Sequence, residues 1–357
     1  MTASLSPNST IGIIGGGQLA RMLASSAARL GFHTIVLEPG ADCPAAQTCN
    51  RHIVAAYDDE SALAELANAC DVVTYEFENV PLSAADHLTS RVPLYPPAKA
   101  LEVSQDRLLE KQFLQQAGLE VADFHNVEAP TDLVEALQQF GGGVLKTRRF
   151  GYDGKGQHVF ASADVSVDEA QSVLEQLGTG PFVLERLIDF VSEFSVIAGR
   201  STDGNTCAYD PSTNIHEAGI LRRSTVPAAL EDGLAQRACS MAVTLLDALD
   251  YVGVIGVEFF LANNGLLINE FAPRVHNSGH WTREACATSQ FENHIRAISG
   301  HALGSVQRYH DCEMINLLGD EGTQIATYLS QQASQVTLYG KSEARPGRKM
   351  GHVTRLI

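Results

Sequence analysis

Between residues 10 and 80 the chain alternates short apolar runs with stretches of helical periodicity, and this alternation constrains its fold more than any other feature. Residues 10–16 are β-branched and apolar; 18–30 show helical spacing and stop at Gly31; 32–38 form a second apolar run closed by Pro39-Gly40. Residues 51–55 and 71–78 repeat the strand character around a helix at 59–69. Apolar strands separated by helices bury both faces of a parallel sheet, so an α/β unit is expected here. The Pro-rich stretch 92–97 reads as its boundary, and 105–117 as an amphipathic helix ended by Gly118.

The pattern changes near residue 120. Short strands at 143–149, 157–161 and 182–187 flank a helix at 168–177. Beyond Ser192 the reading is antiparallel: strands at 193–199 and 206–209, a long helix at 230–250, then strands at 254–261 and 266–271 joined across Asn264-Gly265, a strong hairpin signal. The expected class is α/β and α+β, with domains at 1–104, 105–190 and 191–357. A hydrophobic share of 45% suffices to fill such cores.

The net charge of -17 repels nucleic acid and anionic membranes, so neither is an expected partner. An anionic ligand would need a local cluster of cations. The cysteines at 43, 49, 70, 207, 239, 286 and 312 include no CxxC pair, which argues against a zinc site or disulfides and for reduced thiols in the cytoplasm. The first ten residues lack the order of a signal peptide, and no apolar run is long enough to span a membrane.

Three clusters carry chemistry. Gly15-Gly16-Gly17-Gln18-Leu19-Ala20 fits GxGxxA, with Glu38 where a dinucleotide fold places its ribose-binding acid. An NAD site, a phosphate at the helix N-terminus and a tight turn without ligand are three readings of it. Residues 146–157, KTRRFGYDGKGQ, pack four cations and three glycines into a turn whose backbone N–H groups could meet phosphate oxygens; a solvated hairpin is the alternative. The strand after it, followed by Glu193, offers an adenine slot with a carboxylate for ribose, although such a Glu can also be merely exposed. Glu258 and Glu270 are equidistant from residue 264 and oppose each other if the loop is 263–265; a one-residue register shift would part them. Opposed carboxylates beside Val257, Phe259, Phe260 and Phe271 need a cation, and oxygen ligands near a triphosphate suggest Mg²⁺ or Mn²⁺. Neutralising either glutamate is then expected to relieve repulsion. Arg274 could clamp a phosphate or carboxylate, and His276 could act as a general base or simply pack.

The strings GGGQLARM, YEFENVP (75–81), KTRRFGYDGKGQ, NIHEAGILRRS (214–224), INEFAPRVHNSGHWT (268–282) and RPGRKMGH (345–352) together resemble the 5-(carboxyamino)imidazole ribonucleotide synthetase family of the ATP-grasp superfamily. They keep their order and cover the chain from about residue 10 onward. The resemblance implies an N-terminal Rossmann-like parallel-sheet domain, a small central α+β lid domain and a C-terminal α+β domain. It implies carboxylation of 5-aminoimidazole ribonucleotide with bicarbonate and ATP, no enzyme nucleophile, and a homodimer. The ATP site would comprise Arg107, Lys146, Gly151, Tyr152, Asp153, Gly154, Lys155, Gly156, Gln157, Glu185, Arg186, Leu187, Ile188, Glu193, His216, Asn269 and Glu270. Glu258 and Glu270 would hold the metal. Gly15, Gly17, Gln18, Leu19, Glu76, Arg274, His276, Arg348 and Lys349 would face the ribonucleotide. Arg274, Lys155 and His276 would act in catalysis, and the 151–156 turn would be a lid. Family members are expected to run some tens of residues past the position of Ile357.

Overall fold

The computed structural model describes residues 4–151, 155–178, 180–263 and 265–357. Strands Thr10–Ile14 and His33–Leu37 pair in parallel, Arg51–Ile53 extends the sheet at one edge and Val72–Tyr75 at the other. The direction of winding therefore reverses beside Thr10–Ile14. In open parallel sheets, ligands bind beyond the carboxyl ends of the strands at such a reversal. Ile14 and Tyr75 are paired there, so the glycine turn and Glu76 that follow them share one crevice. Helices Gln18–Arg29 and Glu60–Ala69 cover the sheet; the second is capped by Asp59, whose carboxylate accepts the N–H groups of Ser61 and Ala62.

A second, antiparallel sheet of four strands runs in the order Phe124–Val127, Phe182–Arg186, Gly143–Thr147, Gln157–Phe160. Helices Pro130–Phe140 and Val167–Leu177 close a small core on it through Leu133, Leu137, Ala170 and Leu174. The third sheet has nine strands among the described residues. Its path is Gly265–Ala272, Gly253–Ala262, Phe190–Arg200, Ser212–Glu217, Ile220–Val226, Cys312–Leu318, Lys349–Leu356, Ser334–Leu338, with Thr206–Ala208 beside Phe190–Arg200. Helix Asp232–Ala248 packs Ala238, Met241 and Leu245 against it. Ile11, Ile13 and Leu23 of the first unit share one core with Val254, Trp281 and Phe291 of the third, so these two bodies are joined by apolar burial. Helix Arg107–Gln116 lies between the second and third sheets. Arg148 fixes it to the second by a bidentate pair with Asp106, at 2.9 and 2.6 Å.

The elements expected up to residue 272 are present within a few residues. The sequence pattern marks no element beyond about residue 280, yet three strands there complete the large sheet. Lys349–Leu356 buries His352 and Thr354 as well as Val353, so its interior face lacks the apolar alternation that marks a strand. The short helix Ala98–Ser104 after Pro97 is likewise an addition to the sequence reading.

Glu284 sits on the short helix Thr282–Ala285 and accepts the Thr354 hydroxyl at 3.2 Å. Burial pushes its carboxyl up to about 7, against the pull of Arg283. A raised carboxyl pKa stabilises the fold fully below the ordinary value of 4.5, and that contribution is lost as pH rises through about 7. Glu284→Gln should therefore match the parent in urea unfolding at about pH 5 and exceed it at about pH 8. An equal difference at both values would refute the burial argument.

Candidate active site

Glu258 and Glu270 face each other, but by a different route from the one their spacing suggested. Ala262 pairs with Gly265, which leaves a two-residue connection, and the register continues to Phe259↔Ile268. Continued further, it would set Glu258 against Asn269. A register shift between Glu258 and Phe259 instead makes Asn269 the extra residue and brings Glu258 opposite Glu270. Bulges re-aim side chains in this way. The Asn269 carbonyl accepts from Lys111 Nζ at 2.5 Å, and its side-chain Oδ1 is buried with no hydrogen-bond partner among the described residues.

The two carboxylates stand in different fields. Arg107 Nη1 donates to Glu270 Oε2 at 2.8 Å, and Nη2 reaches the Gly151 carbonyl at 3.2 Å. Burial raises both acids. For Glu270 the charges of Arg107, Lys146 and Lys111 outweigh burial and hold it at about 2, whereas Glu258, facing the Glu270 charge, is pushed up to about 7. Near neutral pH the pair shares part of one proton, which a cation bound between them would displace.

His276 Nε2 lies 3.3 Å from Glu258 Oε1. The Ser278 N–H points at His276 Nδ1, and because Ser195 Oγ donates to Ser278 Oγ at 2.6 Å, the Ser278 hydroxyl hydrogen is left for Nδ1 at 2.9 Å. Nδ1 therefore accepts, and Nε2 carries the proton toward Glu258. Burial, then Arg274 and Lys349, depress its pKa to about 3, so the ring is neutral. The expected general base is, in this geometry, a hydrogen-bond donor. Gly256 makes room for it: a Cβ there would lie 2.5 Å from His276 Cβ.

The remaining ATP-site candidates divide. Lys146 Nζ is 3.0 Å from Glu185 Oε1, and Glu185 Oε2 is 3.2 Å from Lys111, so the Glu185 carboxylate balances two lysines and does not line the cavity. Arg186 turns away to Asp123 at 2.8 Å. Leu187 and Ile188 lie where the chain crosses from the central sheet to the large one, outside the cavity lining. Glu193 Oε2 and His216 Nδ1 are 2.7 Å apart, and both line the cavity, as do Arg107, Lys146, Gly151, Gln157, Asn269 and Glu270. Lys155 and Gly156 lie outside the lining, Lys155 being exposed and Gly156 at φ 71°. Tyr152, Asp153 and Gly154 fall outside the described residues.

The glycine turn holds protein carboxylates. Gly17 N–H donates to Glu76 Oε1 at 2.6 Å, and Gly16 N–H to Glu38 Oε2 at 2.9 Å. A Cβ on Gly15 or Gly17 would come within 2.8 Å of Glu76, so the close approach of that side chain explains the glycines. The Gly17 amide expected to meet a phosphate is thus committed to Glu76, and Gly15 and Gly17 do not line the cavity, whereas Gln18, Leu19 and Glu76 do. Glu38 also accepts the Tyr57 hydroxyl at 2.5 Å, which ties up the acid an NAD site would need. Burial pushes Glu76 up to about 7. Arg274 lines the cavity with Nη2 2.8 Å from Glu78. Lys349 lines it too; Arg348 does not, and donates to the Glu343 carbonyl at 2.8 Å.

One cavity of about 840 Å³ gathers these groups from all three sheets. Sequence reasoning missed Glu110, Lys111 and Lys341. Glu110 accepts the Phe271 N–H at 2.7 Å, and the Lys341 ammonium donates to the Lys349 carbonyl at 2.7 Å. A signal for the first two existed: Leu108, Glu110, Lys111 and Leu114 form one buried face, so two charges sit on the apolar stripe of their helix.

Three family descriptions match successive stretches of the chain: a ribonucleotide synthetase preATP-grasp domain at 8–105, an ATP-grasp domain at 112–291 and a phosphoribosylaminoimidazole carboxylase C-terminal domain at 312–356. The chain is 56% identical over 355 residues to the N5-carboxyaminoimidazole ribonucleotide synthase of Brucella melitensis biotype 1, covering 99% of this chain and 98% of that one. The structure of the synthetase from Thermus thermophilus matches with a TM-score of 0.90 at 44% identity, over 97% of this chain and 93% of that one. The synthase of Aspergillus clavatus in complex with ADP and 5-aminoimidazole ribonucleotide matches with a TM-score of 0.90 at 32% identity, over 98% of this chain and 94% of that one. With this fold, this carboxylate hairpin and these matches along its length, the chain belongs to the N5-carboxyaminoimidazole ribonucleotide synthase family of ATP-grasp enzymes.

Proposed function

We propose that the chain carries out the reaction of its family: ATP-dependent carboxylation of 5-aminoimidazole ribonucleotide with bicarbonate, giving N5-carboxyaminoimidazole ribonucleotide, ADP and phosphate in purine biosynthesis. The observation that carries this reading is the single cavity in which the carboxylate pair stands between Arg107 and Lys146 on one side and Glu76, Arg274 and Lys349 on the other. The three working units are taken as 1–104, 105–190 and 191–357, acting as a cytoplasmic homodimer. The seven free thiols agree with a reducing compartment. Among the described residues no helix is long and apolar enough to cross a membrane.

The residues present fit Mg²⁺ or Mn²⁺: an opposed carboxylate pair and a buried, unpartnered Asn269 Oδ1 are hard oxygen donors. Such an ion, held by Glu258 and Glu270, would supply neutralising charge to the triphosphate. Lys146 and Arg107 offer cations to the phosphates and Glu193 and His216 hydrogen bonds to the ribose; the backbone at 187–188, outside the cavity lining, would give an edge to the base only where the base extends beyond that lining. A bicarbonate oxygen attacks the γ-phosphorus as ADP departs, and the resulting carboxyphosphate passes its carboxyl carbon to the ribonucleotide amine, releasing phosphate, which can take the amine proton. Phosphoryl transfer of this kind needs alignment and charge more than covalent help. His276 Nε2–H and the Arg274 guanidinium are placed to hold the small anion. The segment that carries Lys155 would close over the reaction and exclude water, as the family resemblance implies.

Phosphate release from ATP should require bicarbonate and rise on addition of the ribonucleotide, with no binding of NADH seen by fluorescence. Release indifferent to the ribonucleotide would refute the assignment.

Glu258→Gln and Glu270→Gln should each abolish turnover but part company in ligand-free stability, contrary to the symmetric relief that spacing alone suggested. At about pH 8, Glu258→Gln removes repulsion and should melt no lower than the parent. Glu270→Gln strips Arg107 of its partner and should lose about 1 kcal/mol, a modest figure because Glu270 is 40% exposed. Calorimetric melting distinguishes the two; equal shifts would contradict the asymmetric pairing.

Lys349→Ala should raise the ribonucleotide KM about ten- to a hundredfold, as expected for loss of a charge-assisted contact, and leave the ATP KM unchanged. Arg348→Ala should have the smaller effect, since Arg348 lies outside the cavity lining. Steady-state kinetics in each substrate would reveal an inverted order if the phosphate lies elsewhere.

A further inference from the structure

Lys111 is 1% exposed and does not line the cavity, yet it carries a charge into the seam between two sheets. Its ammonium donates to the Asn269 carbonyl of the large sheet at 2.5 Å and lies 3.2 Å from Glu185 Oε2 of the central sheet. Glu185, 3% exposed, presents its other oxygen to Lys146 Nζ at 3.0 Å. The three side chains form a buried row of charges, plus, minus, plus, and only the Lys146 end reaches the cavity. The row sums to one positive charge. Without Lys111, the Glu185 carboxylate would cancel Lys146, and the wall at Lys146 would lose its net positive charge.

Packing does not explain such a lysine. Burying an ammonium is costly, and an apolar side chain of similar length can hold a core position at least as well. The neighbouring charges do not replace it either. Arg107 is paired with Glu270 at 2.8 Å, and burial pushes Glu110 up to about 8, so it carries little charge near neutrality.

We propose that Lys111 is a positioning residue for the nucleotide: by sharing the Glu185 carboxylate it leaves Lys146 with a net positive charge facing the cavity. The anion served is the polyphosphate of a nucleotide, so the inference rests on the ATP-binding reading above.

The test is calorimetric titration of the full-length protein with ADP in the presence of Mg²⁺, for the parent, Lys111→Met, Glu185→Gln and the double variant. Lys111→Met should weaken binding about ten- to a hundredfold, the range for losing one charge-assisted contact. The double variant restores the net charge and should return to within about threefold of the parent, which a role in packing alone would not produce. Glu185→Gln by itself should bind at least as tightly as the parent. Unaltered affinity in Lys111→Met, or a double variant as weak as that single one, overturns the proposal. If Lys111→Met does not fold, Glu185→Gln decides, since weaker binding there also overturns it. A parent that binds no ADP would instead remove the nucleotide reading itself.

Discussion

Two carboxylates held face to face on adjacent strands are the constraint around which the rest of this molecule is arranged. Glu258 and Glu270 repel each other, and an antiparallel pair tolerates that only when other groups absorb the charge. Each group that does so comes from a different part of the chain. Arg107 arrives on the helix between the lobes, His276 from the loop after the hairpin, and Lys146 from the central sheet. The groups that offset the charge of the pair thus come from three parts of the chain and meet around one cavity. It also leaves the pair asymmetric: Arg107, Lys146 and Lys111 lower the carboxyl pKa of Glu270, while burial and the Glu270 charge raise that of Glu258.

The N-terminal sheet contributes a wall. Its glycine turn has the form of a dinucleotide fingerprint, yet Glu76 and Glu38 occupy the amides of Gly17 and Gly16. The same backbone features that admit a pyrophosphate, close approach and N–H groups at a helix start, here accept internal carboxylates. Glu76 is thus fixed at the cavity edge, within reach of the Lys341 and Arg274 charges. Gln47 donates to the Gly340 carbonyl at 2.8 Å and ties this sheet to the segment carrying Lys341. Together with the shared apolar core, that contact keeps the wall in register with the large sheet.

Much of this was legible in the residues. Alternating apolar runs announced the parallel sheet, Asn264-Gly265 announced the hairpin, and the clustering of cations against an acidic background marked residues 146–157 and 345–349. These signals are local: each depends on periodicity or composition over a dozen residues, which the chain displays whether or not it is folded. The resemblance of ordered motifs supplied the family. The directions of Glu185, Arg186 and the glycine amides are not legible there, because a charged side chain in a motif does not reveal which way it points.

What only the tertiary structure decided depends on pairings between distant segments. The bulge at Asn269 cannot be inferred from spacing, because a two-residue turn and a one-residue slip together give the same opposition as a three-residue loop. The strand Lys349–Leu356 buries polar side chains that find partners beside it, as His352 Nδ1 does with the Tyr339 hydroxyl at 2.9 Å, so it carries little apolar signature. Lys111 and Glu110 share a face with Leu108 and Leu114, but which groups balance their charges there is settled only when the two sheets close over that face. Local pattern along the chain determined many of the elements before residue 272 and which chemistry they carry. Long-range packing determined where each charge ends up, since the energy of a buried charge depends on partners that are remote in sequence.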